Sequence, residues 1–216
     1  MTEYRTDEEQ AEIIKKWWSE NGTSLLTTVA VAIAGVAGWN YWQDSRQATG
    51  EAASAVYSKL VEVAAQENSA NATEMQTLAQ QLKTEYADTA YADFGSLFVA
   101  RLAAENGDFD AAAAELQALV KDADSDAVKA VAQARLGAVL VQQGKLDEAL
   151  AALPATPDAA FAPQIEEVRG DALYRKGELA DARAAYQRAM EAARTLGQTN
   201  TTLQRKIDTL NVGGDA

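Results

Sequence analysis

The chain has 216 residues, enough for one medium domain with a hydrophobic core plus additional segments. Its 32 acidic against 19 basic residues give a formal net charge of −13, which lacks the basic footprint a nucleic-acid-binding surface needs. Cysteine and histidine are both absent, which excludes disulfides, thiolate nucleophiles, Ser-His or Cys-His catalytic units and zinc sites of the usual ligand types. Alanine is abundant and proline is confined to Pro154, Pro157 and Pro163, a composition that favours helix almost throughout.

The first element is apolar. Leu25 to Trp42 holds no charged residue, and eighteen helical residues at 1.5 Å rise reach roughly 27 Å, just enough for a thin hydrocarbon core. All four tryptophans of the chain bracket this run. Trp17 and Trp18 at one end, and Trp39, Tyr41 and Trp42 at the other, have the placement of rings at the headgroup level. A cleaved signal peptide should begin with a short basic region, whereas residues 1–20 carry more acids than bases. The run therefore reads as a retained transmembrane helix over residues 23–43.

Upstream, Ile13, Ile14, Trp17 and Trp18 recur at helical spacing, the pattern of a short amphipathic helix lying in the interface. Asn21-Gly22 is a good helix-ending pair, so residues 1–22 are expected to turn before the span begins. Within the span Ala30, Ala34 and Gly38 form a small-residue stripe, a candidate surface for packing against another membrane helix. Arg5, Lys15 and Lys16 precede the span while Arg46 and Lys59 follow it, a slight bias toward a cytoplasmic N-terminus. The bulk of the chain, residues 44–216, would then lie across the membrane.

The first helix pair of that bulk covers residues 51–87, joined by the polar segment "NSANAT". Three later stretches echo one another: "NGDFDAAAAEL" from Asn106, "QGKLDEALAAL" from Gln143 and "KGELADARAAY" from Lys176. Their glycines Gly107, Gly144 and Gly177 are 37 and 33 residues apart, each followed by an apolar residue (Phe109, Leu146, Leu179) and then an alanine. Ala100, Gly137 and Gly170 stand seven residues before them. Glycine ends a first helix, the apolar residue seeds a second, and the small residues let the two backbones approach. The period and pattern resemble the tetratricopeptide repeat, with units at about 93–126, 130–162 and 163–196. The repeat's usual early aromatic and closing proline are missing, and Pro154 and Pro157 shorten the second helix of the middle unit. Leu203, Ile207 and Leu210 share one face of a capping helix over 199–210, with Thr199 or Asn200 as N-cap. The fold class is all-α: one N-terminal transmembrane helix followed by a right-handed helical-repeat solenoid.

No catalytic constellation emerges. "DADSD", Asp122–Asp126, opens like a calcium loop but has Ala127 and Gln133 where glycine and glutamate are required, so it reads as an inter-repeat turn. Glu166-Glu167 and Asp147-Glu148 are adjacent acids that cannot face each other on a helix, and they read as solvated faces or first-turn charges. No cofactor or metal site is expected. What the tetratricopeptide resemblance implies is a concave groove lined by the first helices. By position it would comprise Phe94, Leu97, Arg101 and Glu105, then Val131, Ala134, Ala138, Val141 and Gln142, then Glu167, Asp171, Tyr174 and Arg175.

The whole arrangement is more specific than its parts. An acidic start with Asp7-Glu8-Glu9-Gln10, then "IKKWWSENG", one span ending "GWNYW", then repeats, resembles the YfgM family over essentially the full length. The resemblance implies a non-enzymatic single-pass protein of the bacterial inner membrane, with a cytoplasmic N-terminus and periplasmic repeats. It implies an ancillary role at the SecYEG translocon, passing newly translocated client polypeptides to periplasmic chaperones such as PpiD. It also implies contact with a cytoplasmic regulator through residues 1–22. An envelope-assembly or division scaffold is the alternative that the same repeat groove would serve.

Overall fold

The computed structural model describes residues 7–66 and 71–212. The first six residues of the acidic lead, part of the "NSANAT" linker and the end of the "NVGGDA" tail fall outside them. Among the described residues the regular structure is helical throughout. In chain order the helices are α1 (Asp7–Ala65), α2 (Ala72–Glu85), α3 (Ala90–Glu105), α4 (Phe109–Asp122), α5 (Asp126–Gln142), α6 (Leu146–Ala152), α7 (Ala162–Lys176), α8 (Leu179–Thr195) and α9 (Thr201–Val212). They form two compact units, Met1–Glu51 and Ala52–Ala216.

The first unit is the N-terminal part of α1. It is long and apolar enough to cross a membrane, and its large apolar side chains, from Leu25 to Val36, point outward and are exposed. Its polar side chains turn back on their own helix. Thr27 Oγ1 donates to Thr23 O at 2.7 Å and Thr28 Oγ1 to Ser24 O at 2.9 Å. Ser19 Oγ likewise reaches Lys16 O at 2.8 Å. A hydroxyl satisfied within its own helix asks nothing of the surrounding medium, which hydrocarbon requires. Trp39 stacks obliquely on Trp42 at 5.1 Å, and the Arg46 guanidinium lies 4.8 Å from the Trp42 ring centre.

Asn21-Gly22 does not end a helix here, contrary to the sequence expectation: α1 runs through it without a break. Asn21 Nδ2 donates to Trp17 O at 3.1 Å, which fixes its side chain in the helical conformation. Gly22 is buried beneath the Trp18 indole, whose Cε2 would lie 3.1 Å from an added Cβ. The glycine is there for the ring rather than for a turn. With no turn, Trp18 and Trp39 stand roughly 32 Å apart along one helix axis, close to the thickness of a hydrocarbon core.

From α2 onward each helix of the second unit stacks on the next, and α5 also meets α3 and α7 directly. The end of α1 packs with α2 and α3 around Leu60, Leu82 and Ala79, all fully buried. Tyr57 joins Tyr91 and Phe94 of α3 in an aromatic cluster with ring centres 5.3 to 6.1 Å apart. The main core lies among α3 to α6 around Leu116, Leu136 and Leu140, and burying each leucine contributes about 2 kcal/mol. A further cluster joins α8 to α9 through Tyr186, Met190, Leu203 and Ile207.

After α2 the helices follow as pairs, α3–α4, α5–α6 and α7–α8. Each turns on its glycine at positive φ: Gly107 at 80°, Gly144 at 74° and Gly177 at 83°. The following amide closes the motif, as Lys145 N donates to Leu140 O at 3.0 Å and Glu178 N to Leu173 O at 3.0 Å. α6 stops at Ala152, short of Pro154, as the prolines dictate. In "DADSD", Asp122 ends α4 and Ser125 Oγ caps α5 by accepting from Val128 N, so the segment is an inter-repeat turn. Asn200 caps α9, its Oδ1 accepting from Leu203 N at 2.9 Å.

Candidate functional site

Ala100, Gly137 and Gly170 occupy the same register of α3, α5 and α7, and all three are buried. A Cβ on Gly137 would come within 2.9 Å of Leu153 Cδ2, and one on Gly170 would enter the Tyr186 ring. The residue after each, Arg101, Ala138 and Asp171, therefore presents itself at an equivalent place on the inner face. The residue two before each is Phe98, Arg135 and Val168.

Two clefts open on this face, with α5 as their common wall. One, of about 450 Å³, lies between α3 and α5 and is lined by Ala100, Arg101, Ala104, Glu105, Leu116, Arg135, Ala138 and Val139. The other, of about 410 Å³, lies between α5, the chain after α6 and α7. Its lining is Ala130, Val131, Ala134, Arg135, Ala138, Ala160, Phe161, Gln164 and Val168. Both are walled mainly by apolar side chains, and Arg135 and Ala138 belong to both.

Arg101 Nε donates to Glu105 Oε1 at 2.7 Å along its own helix, an exposed pair of small energetic weight. Among the described residues Arg135 Nη1 reaches only Leu97 O, at 3.5 Å. Burial, and then the neighbouring Arg101 charge, pull the Arg135 pKa below its ordinary value. Further along, Arg175 Nη1 donates to Val141 O at 2.7 Å and Nη2 to Gln142 Oε1 at 3.2 Å. That places a cation on the C-terminal carbonyls of α5, where the helix dipole favours it.

On α7 the inner face is closed. Lys206 of α9 donates to Glu167 Oε1 at 2.8 Å and to Asp171 Oδ1 at 2.7 Å, and its Nζ lies 5.5 Å from the Tyr186 ring centre. Tyr186 OH donates to the same Asp171 oxygen at 2.7 Å. Burial opposes the charge on Lys206, yet the two carboxylates raise its pKa; burial followed by the Asp171 hydrogen bond raises that of Tyr186.

Of the thirteen groove residues expected from the sequence, Leu97, Ala134 and Val141 are buried in the core. Phe94 and Val131 are half-buried, Phe94 being held in the aromatic cluster with Tyr57. Arg101, Glu105, Ala138, Gln142, Tyr174 and Arg175 are exposed. Glu167 and Asp171 are half-buried under Lys206. Sequence reasoning passed over Arg135, Phe161 and Val168, which line the clefts. The register of Gly137 and Gly170 would have found Arg135 and Val168, since both lie two residues before those glycines.

The Glu166-Glu167 pair is not a solvated face, which corrects the sequence expectation. Glu166 is 5% exposed and binds Arg188 at 2.8 Å and Arg169 at 3.3 Å. Arg169 also donates to Pro154 O, so this buried group ties α7 to α8 and to the chain after α6. Asp147 and Glu148 do occupy the first turn of α6, where the dipole favours acids.

Residues 15–212 match the model of a tetratricopeptide repeat-like domain. Three curated relatives each carry the name ancillary SecYEG translocon subunit. The one from Haemophilus influenzae is 31% identical over 88% of this chain and 93% of its own length. The one from Aggregatibacter actinomycetemcomitans is 32% identical over 89% and 92%. The one from Escherichia coli is 27% identical over 98% of this chain and all of its own length. No solved structure matches the chain.

Proposed function

We propose a function from the premise that this chain belongs to the tetratricopeptide repeat-like family of ancillary SecYEG translocon subunits. It is an accessory of a SecYEG translocon in the bacterial inner membrane. α1 crosses the bilayer once, with residues 1–22 on the cytoplasmic side and the repeats in the periplasm. The repeats receive newly translocated polypeptide and pass it to a periplasmic chaperone of the PpiD kind. The role is binding and positioning, without catalysis.

The observation that carries this reading is the near full-length match to relatives bearing that name, in a chain with a span and an apolar trough. The stripe of Ala30, Ala34 and Gly38 supports contact with a translocon helix, because an added Cβ on Gly38 meets nothing and a partner backbone could approach closely. Lys15 and Lys16 before the span support the orientation.

Photocrosslinkers at Ala34 and Ala138 in native membranes test the proposal. The first is expected to capture a translocon subunit, and the second an emerging chain or a periplasmic chaperone. Capture of neither would sink the reading. Protease added to spheroplasts should digest the repeats; protection of the repeats would reverse the orientation and remove the periplasmic role.

A further inference from the structure

We infer that the trough shared by α3, α5 and α7 holds an extended polypeptide segment by an internal Asp or Glu side chain seated on Arg135, with small or apolar side chains on either side. This rests on the reading above, that the repeats receive polypeptide, and specifies the chemistry they select.

Arg135 and Arg175 are the arginines of these inner faces without a carboxylate in ion-pair distance among the described residues, and Arg175 is instead held by Val141 O and Gln142 Oε1. Arg101, Arg169, Arg188, Lys176 and Lys206 each have a carboxylate within ion-pair distance. Among the described residues none lies within that distance of Arg135, although the chain carries 32 acids to 19 bases. Its single bond among the described residues, to Leu97 O at 3.5 Å, leaves most of its donors without a partner among them. Arg135 is open to solvent although partly desolvated, with the positive charge of Arg101 beside it and apolar walls on both sides. A carboxylate supplied from outside can reach it and would offset the Arg101 repulsion, because a guanidinium accepts one in a bidentate geometry that a lysine cannot reproduce.

The surroundings narrow the ligand further. A phosphate would bring up to about two negative charges into a molecule of net charge −13, with Glu105 on the rim of the same cleft. A carboxylate brings one. Arg135 stands between two clefts rather than at the end of one, so a chain bound through it has room to continue in both directions. A C-terminal carboxylate would leave one of them empty. The neighbours on either side, Ala104 and Leu116 in one cleft and Phe161 and Val168 in the other, accept apolar side chains.

The test uses the full-length chain in detergent micelles and short labelled peptides with both ends blocked, read by fluorescence anisotropy. A host of alanine, glycine and leucine carries Glu at its centre, or Gln in its place. A third peptide has central Gln and a free C-terminal carboxylate. The Glu peptide is expected to bind about ten-fold more tightly than the Gln peptide, the scale of one charge-assisted pair. Arg135→Gln should erase that preference while leaving the affinity for the Gln peptide within about two-fold. Ala138→Glu, an exposed position one helical turn from Arg135, supplies a carboxylate from the chain itself and should erase it too, even if Arg135→Gln fails to fold.

Equal binding of the Glu and Gln peptides to the unmodified chain would overturn the assignment, as would a preference that survives both substitutions. Preference for the free C-terminus alone would replace it with end capture. In each of those cases the repeats still bind polypeptide and the proposed function stands. Failure of every peptide to bind would overturn both.

Discussion

α5 and α7 carry the same repeat and the same small residue at its centre, yet their inner faces are in opposite states. On α7, Glu167 and Asp171 are covered by Lys206 of α9. At the same registers α5 has Ala134 and Ala138, and beside them an Arg135 with no carboxylate in ion-pair distance among the described residues. The backbone repeat determines where a side chain points, and the neighbour arriving next along the chain determines whether it is free. A capping helix consumes the polar groups of the last repeat, so the middle repeat keeps the accessible chemistry.

The largest expected effect comes from uncovering α7. Leu203 of α9 is fully buried against α8, and Leu203→Ala should destabilise the repeat unit by about 3 kcal/mol, measured by chemical denaturation followed by far-UV circular dichroism. Hydrogen exchange should show α9 losing protection first; retention of α9 protection would mean that the cap does not depend on this contact. If α9 is what distinguishes the two faces, the variant should also make Glu167 and Asp171 available to added cationic peptides.

Lys206→Met keeps the stem and removes the charge, leaving two carboxylates without their partner. It should cost about 1–2 kcal/mol, a range already reduced for partial exposure. The pH dependence follows from directions. Lys206 is raised above 10.5 and Tyr186 above 10.0, so above those values the folded state holds protons that the unfolded state has released. Stability from this group is complete below about pH 10 and declines as pH rises further. The melting-temperature gap between the unmodified chain and Lys206→Met should therefore shrink on alkaline titration and stay constant between pH 6 and 9. A gap that widened would contradict the assignment of the charges.

Smaller effects sharpen the contrast. Arg175→Gln removes the tie from α7 to the C-terminal carbonyls of α5 and should cost about 1 kcal/mol. Ala138→Glu should change stability by no more than about 0.5 kcal/mol, because the position is exposed and open. A much larger loss would show that α5 is already occupied at this point.

How far the sequence reached depended on whether a feature was local or arrived from elsewhere in the chain. Gly107, Gly144 and Gly177 are legible because only a left-handed residue closes such a helix end cheaply, and the need recurs at each repeat. Pro154 announced the short α6 for an equally local reason. Asn21-Gly22 misled because a helix-ending pair resembles a ring-accommodating one, and Trp18, four residues before Gly22, decides between them. Lys206 could not be matched to Asp171 in advance, since they are 35 residues apart and the cap breaks the repeat pattern. The burial of Glu166 was hidden likewise: Arg188, which holds it, comes from the following helix at a spacing of 22.

The tryptophans of α1 have a consequence for measurement. Because all four lie between Trp17 and Trp42, the repeat unit is silent in tryptophan emission and contains only tyrosine and phenylalanine as aromatic residues. Emission from the unmodified chain is thus a private signal of the α1 segment. Quenchers attached at graded positions on lipid chains would read the immersion of that segment with no label added. A tryptophan introduced at Ala138 in a chain whose native tryptophans are replaced by phenylalanine would then report on the trough alone.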